Sequence, residues 1–106
     1  MNDPSLVKIT KRVIIKIAAD IDLIDIELLQ EVTKLRGSLI LEAVQELVRW
    51  CHLHETADCR WTMGYRDMAL NFATRDELSE EDSKIESEIM SRWEAVKFEK
   101  IAAAAA

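Results

Sequence analysis

SLILEAVQELVRWCHLHE, residues Ser38 to Glu55, is the stretch whose reading decides the fold. Set at 100° per residue, its apolar positions Leu39, Ile40, Leu41, Ala43, Val44, Leu47, Val48, Trp50 and Cys51 sweep roughly 200° of arc. A surface helix needs only about half of that. The spacing predicts a central helix touched on two or three sides, with Glu42, Gln45, Glu46, Arg49 and His52 left for the remaining strip.

Working outward, Gly37 is expected to supply the left-handed end of a preceding helix and Ser38 to cap the next one. That preceding helix starts at Asp22 or Asp25, runs to about Arg36 and turns Ile24, Leu28, Val32 and Leu35 inward. Further upstream, Asp3-Pro4 is a helix-start signal, an N-cap acceptor before a proline whose missing N–H costs nothing at the first helical position. The segment to about Ala19 places Leu6, Ile9, Val13 and Ile17 on one side and Lys8, Lys11, Arg12 and Lys16 largely opposite. Its β-branched run Val13-Ile14-Ile15 favours a strand, but no second convincing strand is present to pair with it.

Downstream, Glu55 to Arg60 reads as a loop, and Thr62 or Gly64 opens a fourth helix carrying Tyr65, Met68, Ala69, Phe72 and Ala73 inward. Ser79-Glu-Glu-Asp82 resembles a capping box for a last helix with the narrow stripe Ile85, Ile89, Trp93 and Val96. Residues 1–101 thus read as one helical domain, and the alanine tail 102–106 is set aside.

Composition agrees. Two glycines and one proline in 106 residues are too few for the tight turns of an all-β domain. The expected fold is all-α, a compact bundle of four or five helices around a central buried helix. A net charge of −6 opposes general nucleic-acid binding, where phosphate neutralisation supplies most of the affinity. The longest apolar run, Val13 to Ala19, is broken by Lys16 and falls short of the ~20 residues of a membrane span. With only Cys51 and Cys59 and no signal-peptide pattern, a cytoplasmic setting without membrane contact is expected.

Three constellations deserve weighing. Cys51 and His54 are three apart on the expected helix, and Cys59 can fold back toward them, which makes three ligands of the kind zinc accepts. The fourth is missing, and Cys51 sits mid-arc among core residues, so no metal or other cofactor is expected. No glycine-rich loop, catalytic triad or metalloprotease pair can be drawn, and the chain is not expected to be an enzyme. The basic stripe Lys8, Lys11, Arg12, Lys16 can meet an acidic partner or nucleic acid, or can pair with the acidic stretch Asp76 to Asp82. Trp50 and Trp93 fall on core stripes. Trp61, in the loop, is the tryptophan best placed to touch a partner.

From Ala18 onward the layout resembles the small helical lid subdomain of MoxR-type ATPases of the AAA+ class. The residues that carry it are Asp22 to Arg36, Leu47-Val-Arg-Trp50, Met68-Ala-Leu70, Glu77-Leu-Ser-Glu-Glu-Asp82 and Ile85 to Arg92. That family sends an arginine from shortly before the tryptophan to the nucleotide phosphates; this chain has Gln45 there. The resemblance implies a detached or degenerate lid without ATPase activity of its own. The residues themselves point to a non-catalytic protein-interaction or assembly module, self-associating or part of a larger complex.

Overall fold

In the computed structural model, which describes residues 2–75 and 77–105, the first helix starts where Asp3 and Pro4 predict. Helix α1 (Pro4–Asp20) is capped by the Asp3 carboxylate, which accepts from the Ser5 N–H at 2.9 Å. Its β-branched run stays helical because α1 is enclosed: Ile9, Val13, Ile14, Ile15 and Ile17 are all fully buried. It packs against α3, α4 and α5 together. A helix covered by neighbours on several sides belongs in the interior. The central helix is therefore α1, a correction to the reading that put Ser38–Glu55 at the centre.

Helix α2 (Ile26–Thr33) starts at Asp25, whose carboxylate accepts from Leu28 N–H at 2.8 Å. It stops three residues before the expected Arg36, since Thr33 turns its hydroxyl onto Leu29 O and accepts from Leu35 N–H. Lys34, at φ 60°, takes the left-handed position expected of Gly37. Gly37 instead opens α3 (Gly37–Arg49).

Helix α3 also ends early, well short of Glu55. Cys51 N–H donates to Val48 O at 3.1 Å and His52 N–H to Leu47 O at 2.8 Å, with Cys51 left-handed at φ 62°. This is the two-bond Schellman termination, with cysteine where glycine is usual. The chain beyond it is not helix and loop but a hairpin. Strands β1 (Leu53–Glu55) and β2 (Trp61–Met63) pair antiparallel, with Leu53 opposite Met63 and Glu55 opposite Trp61. Ile24 and Trp61 exchange two backbone bonds of 2.9 and 2.8 Å, which clasp the hairpin to the segment before α2.

Helix α4 (Arg66–Thr74) follows, then α5 (Glu80–Ala105), where Ser79 Oγ accepts from Asp82 N–H as the capping signal predicts. The alanine tail continues α5 as helix to Ala105. The described residues form five helices and one two-stranded hairpin, an all-α bundle in essence. One apolar cluster draws on every element, from Ile14 on α1 to Trp93 on α5. No helix among the described residues is long and apolar enough to cross a membrane.

Candidate functional site

The basic stripe of α1 is spent inside the molecule. Arg12 is only 5% exposed; its Nε donates to Glu86 at 2.6 Å and its Nη1 to the carbonyl of Arg75 at 2.7 Å. Lys16 reaches the same Glu86 at 2.7 Å, Lys11 reaches Glu46 at 3.2 Å and Lys8 reaches Glu77 at 3.1 Å. Burial alone raises the Glu86 carboxyl, but the hydrogen bonds from Arg12 and Lys16 outweigh it and hold its pKa below the ordinary value. The internal pairing with the acidic stretch is thus present at Glu77, while Asp76 lies outside the described residues. A stripe read as a partner surface is largely an internal ion cluster.

Cys51 and His54 line one cleft, but Cys59 does not join them there. Because α3 ends at Arg49, Cys51 and His54 no longer share a helical face: Cys51 is an exposed turn residue and His54 an exposed strand residue. Cys59 sits in the hairpin loop, also left-handed, at φ 63°. There Asp58 is held to about 2 by the Arg60 guanidinium and the Thr56 hydroxyl. Among the described residues, no three His, Cys, Asp or Glu side chains gather as a metal site.

The tryptophans trade places. Trp61, expected at a loop surface, lies in β2 at 5% exposure with its indole N–H on Glu55 at 3.1 Å, so the hairpin, and not a partner, covers it. Trp93 is fully buried and donates to Asp20 at 2.8 Å. Trp50, expected in the core, is 64% exposed because the Schellman turn leaves it at the very end of α3. No glycine marks that turn, which is why the sequence carries no plain signal for it.

Two surfaces emerge from this rearrangement. The first is the outer face of α3. Helices α2 and α3 are joined by the short turn Lys34-Leu35-Arg36, pack on each other, and are followed by the β1–β2 hairpin. Ser38, Leu41, Glu42, Gln45 and Arg49 make one stripe down α3, with Ser38, Leu41, Gln45 and Arg49 exposed and Glu42 half-buried. Lys34 and Arg36 lie at its start and Arg60 on the hairpin loop. Glu42 is engaged by Asn2 Nδ2 at 2.9 Å. Most of the unpaired acid lies elsewhere, for α5, with Glu80, Glu81, Asp82 and Glu88, packs on α1 and α2 rather than on α3.

The second surface is apolar. Gly64 N–H donates to His52 O and Tyr65 N–H to Cys51 O, both at 2.9 Å, so the end of α3 and the start of α4 run side by side. Gly64 is required there, since a Cβ would lie 2.3 Å from the Cys51 carbonyl oxygen. Tyr65, Met68 and Phe72 share one face of α4. Phe72 stacks on His52 at 5.5 Å, while Tyr65 at 65% and Met68 at 55% exposure stand open. A cleft of about 190 Å³ lies between Trp50, His52 and Phe72, and Tyr65 lines another with Val48 and Cys51. Burial, and then the charge of Lys11, lower the His52 pKa.

The described residues form a small five-helix bundle with one two-stranded hairpin. Comparison of the chain with protein-family models, curated proteins and solved structures finds no match.

Proposed function

We propose that this chain is a non-catalytic binding module that docks α3 into duplex DNA. The observation that carries the reading is the exposed stripe of α3, a helix that follows α2 after a short turn, with Gln45 and Arg49 among residue types that read base edges or hold phosphates. Lys34 and Arg36 add positive charge at its start, while α1 and α2 stand between α3 and the acidic α5. The whole-chain charge of −6 then lowers affinity without setting the sign of this face. A B-form major groove admits a helix, whereas the deep, narrow groove of duplex RNA does not. The basic first helix contributes less to this reading, since Arg12 is buried and Lys11 and Lys16 are paired with glutamates.

Fluorescence anisotropy with random-sequence duplex DNA tests this. Binding is expected at low salt, with a steep loss as salt rises, and Arg49→Ala should flatten the salt slope by about one counterion. No binding at low salt, or binding indifferent to Arg49→Ala and Gln45→Ala, sinks the proposal. A second reading, the protein-assembly module expected from the sequence, draws its support from the exposure of the large apolar side chains Trp50, Tyr65 and Met68.

A further inference from the structure

We infer that Glu42 is the specificity-determining residue of the α3 face and selects cytosine in the major groove, an inference that rests on the DNA reading. The stripe of Ser38, Leu41, Glu42, Gln45 and Arg49 contains a single acid. A carboxylate on a face that meets phosphates weakens general attraction, so it needs a hydrogen-bond donor of its own on the duplex.

Asn2 fixes that carboxylate in place. Its Nδ2 donates to Glu42 Oε1 at 2.9 Å, and its Oδ1 accepts from Arg36 Nη2 at 2.6 Å and from Arg36 Nε at 3.2 Å. The orientation of the amide follows from its neighbours, since a guanidinium only donates and an ionised carboxylate only accepts. Glu42 Oε2 takes no hydrogen bond from any other described residue. One oxygen is thus held by the protein and the other is left to a ligand, on a side chain that is only half-buried.

Base chemistry then narrows the choice. The donors in the major groove are cytosine N4 and adenine N6, whereas guanine N7 and O6 and thymine O4 are acceptors that repel a carboxylate. Adenine sets its N7 acceptor beside N6, an arrangement that suits the donor and acceptor of an amide and opposes an acid. Cytosine remains. Any other base leaves a desolvated carboxylate facing an acceptor, so Glu42 discriminates by exclusion as well as by attraction. A well-made base contact of this kind discriminates about tenfold or more.

Selection from a randomised duplex library by the immobilised full chain at low salt, followed by sequencing, tests this. The unchanged chain should enrich cytosine about tenfold at one position of the retained duplexes. The isosteric Glu42→Gln should replace cytosine by adenine at that same position, and Glu42→Ala should abolish the preference while total retention holds or rises. Asn2→Ala should reduce the enrichment about threefold with circular dichroism unchanged, and no reduction overturns the part given to Asn2. Retained duplexes without a cytosine position, or with one indifferent to both Glu42 substitutions, overturn the inference and leave the DNA reading standing. No duplex retained at all defeats the DNA reading and this inference with it.

Discussion

The junction of α1 with α5 and the end of α3 treat their side chains in opposite ways. At the junction, Arg12 and Glu86 are buried together, 2.6 Å apart, with the carbonyls of Phe72 and Arg75 taking further guanidinium bonds. At the end of α3, Trp50, Tyr65 and Met68 face water. The difference teaches that residue type alone does not assign a surface. A charge can be buried where partners answer its donors, and an indole is exposed where the backbone turns away beneath it.

The sharpest way to break this contrast is at Glu86. Glu86→Gln should cost about 3–5 kcal/mol in urea unfolding, because it leaves Arg12 buried without its counter-charge. Pairing it with Arg12→Met should recover most of the loss, and a failure of that recovery would mean the cluster does more than neutralise itself.

Next come two substitutions of one residue type. Trp93→Ala should cost about 3–5 kcal/mol by opening a core cavity, whereas Trp50→Ala should stay within about 0.5 kcal/mol in the same assay. Comparable losses at both positions would refute the placement of Trp50.

Gly64→Ala sharpens the account of how these exposed side chains are placed. Its Cβ meets backbone rather than a movable side chain, so about 1–3 kcal/mol should be lost, and the α3–α4 apposition with it. Thermal denaturation reads this directly.

The smallest effect is in pH. His52 has a lowered folded pKa, so the folded state binds its proton less readily than the unfolded chain does. Its contribution to stability is full above about 6.5 and is lost as pH falls through the folded pKa. Glu86, also lowered, adds a second loss in more acid solution, below the ordinary carboxylate range. In a pH series of unfolding midpoints, His52→Phe should remove the first step and leave the second.

Much of the fold was legible. Asp3-Pro4, Asp25 and the Ser79 capping signal each mark a helix start with a side-chain acceptor, and such local hydrogen bonds need nothing beyond a few neighbouring residues. The stripe of Ile89 and Trp93 likewise follows from helical periodicity. The ends of α2 and α3 were not legible, because Lys34 and Cys51 occupy left-handed positions that favour glycine. Nor was the hairpin, whose two strands are three residues each and show no alternation long enough to read. Of the candidate site residues, Lys8, Lys11, Arg12, Lys16 and Trp61 were visible as chemistry, while their internal engagement depended on Glu77, Glu46, Glu86 and Glu55.

The amino-acid sequence by itself determined the helical class and the starts of α1, α2 and α5, since propensity, capping and periodicity act over a single turn or two. Only the tertiary structure decided which helix is central, that Trp61 is covered and Trp50 bare, and that the α1 lysines and arginine are spent. The most telling of those outcomes, the Arg12–Glu86 pairing, depends on groups 74 residues apart being brought together, and no local pattern encodes which distant carboxylate will answer a given cation.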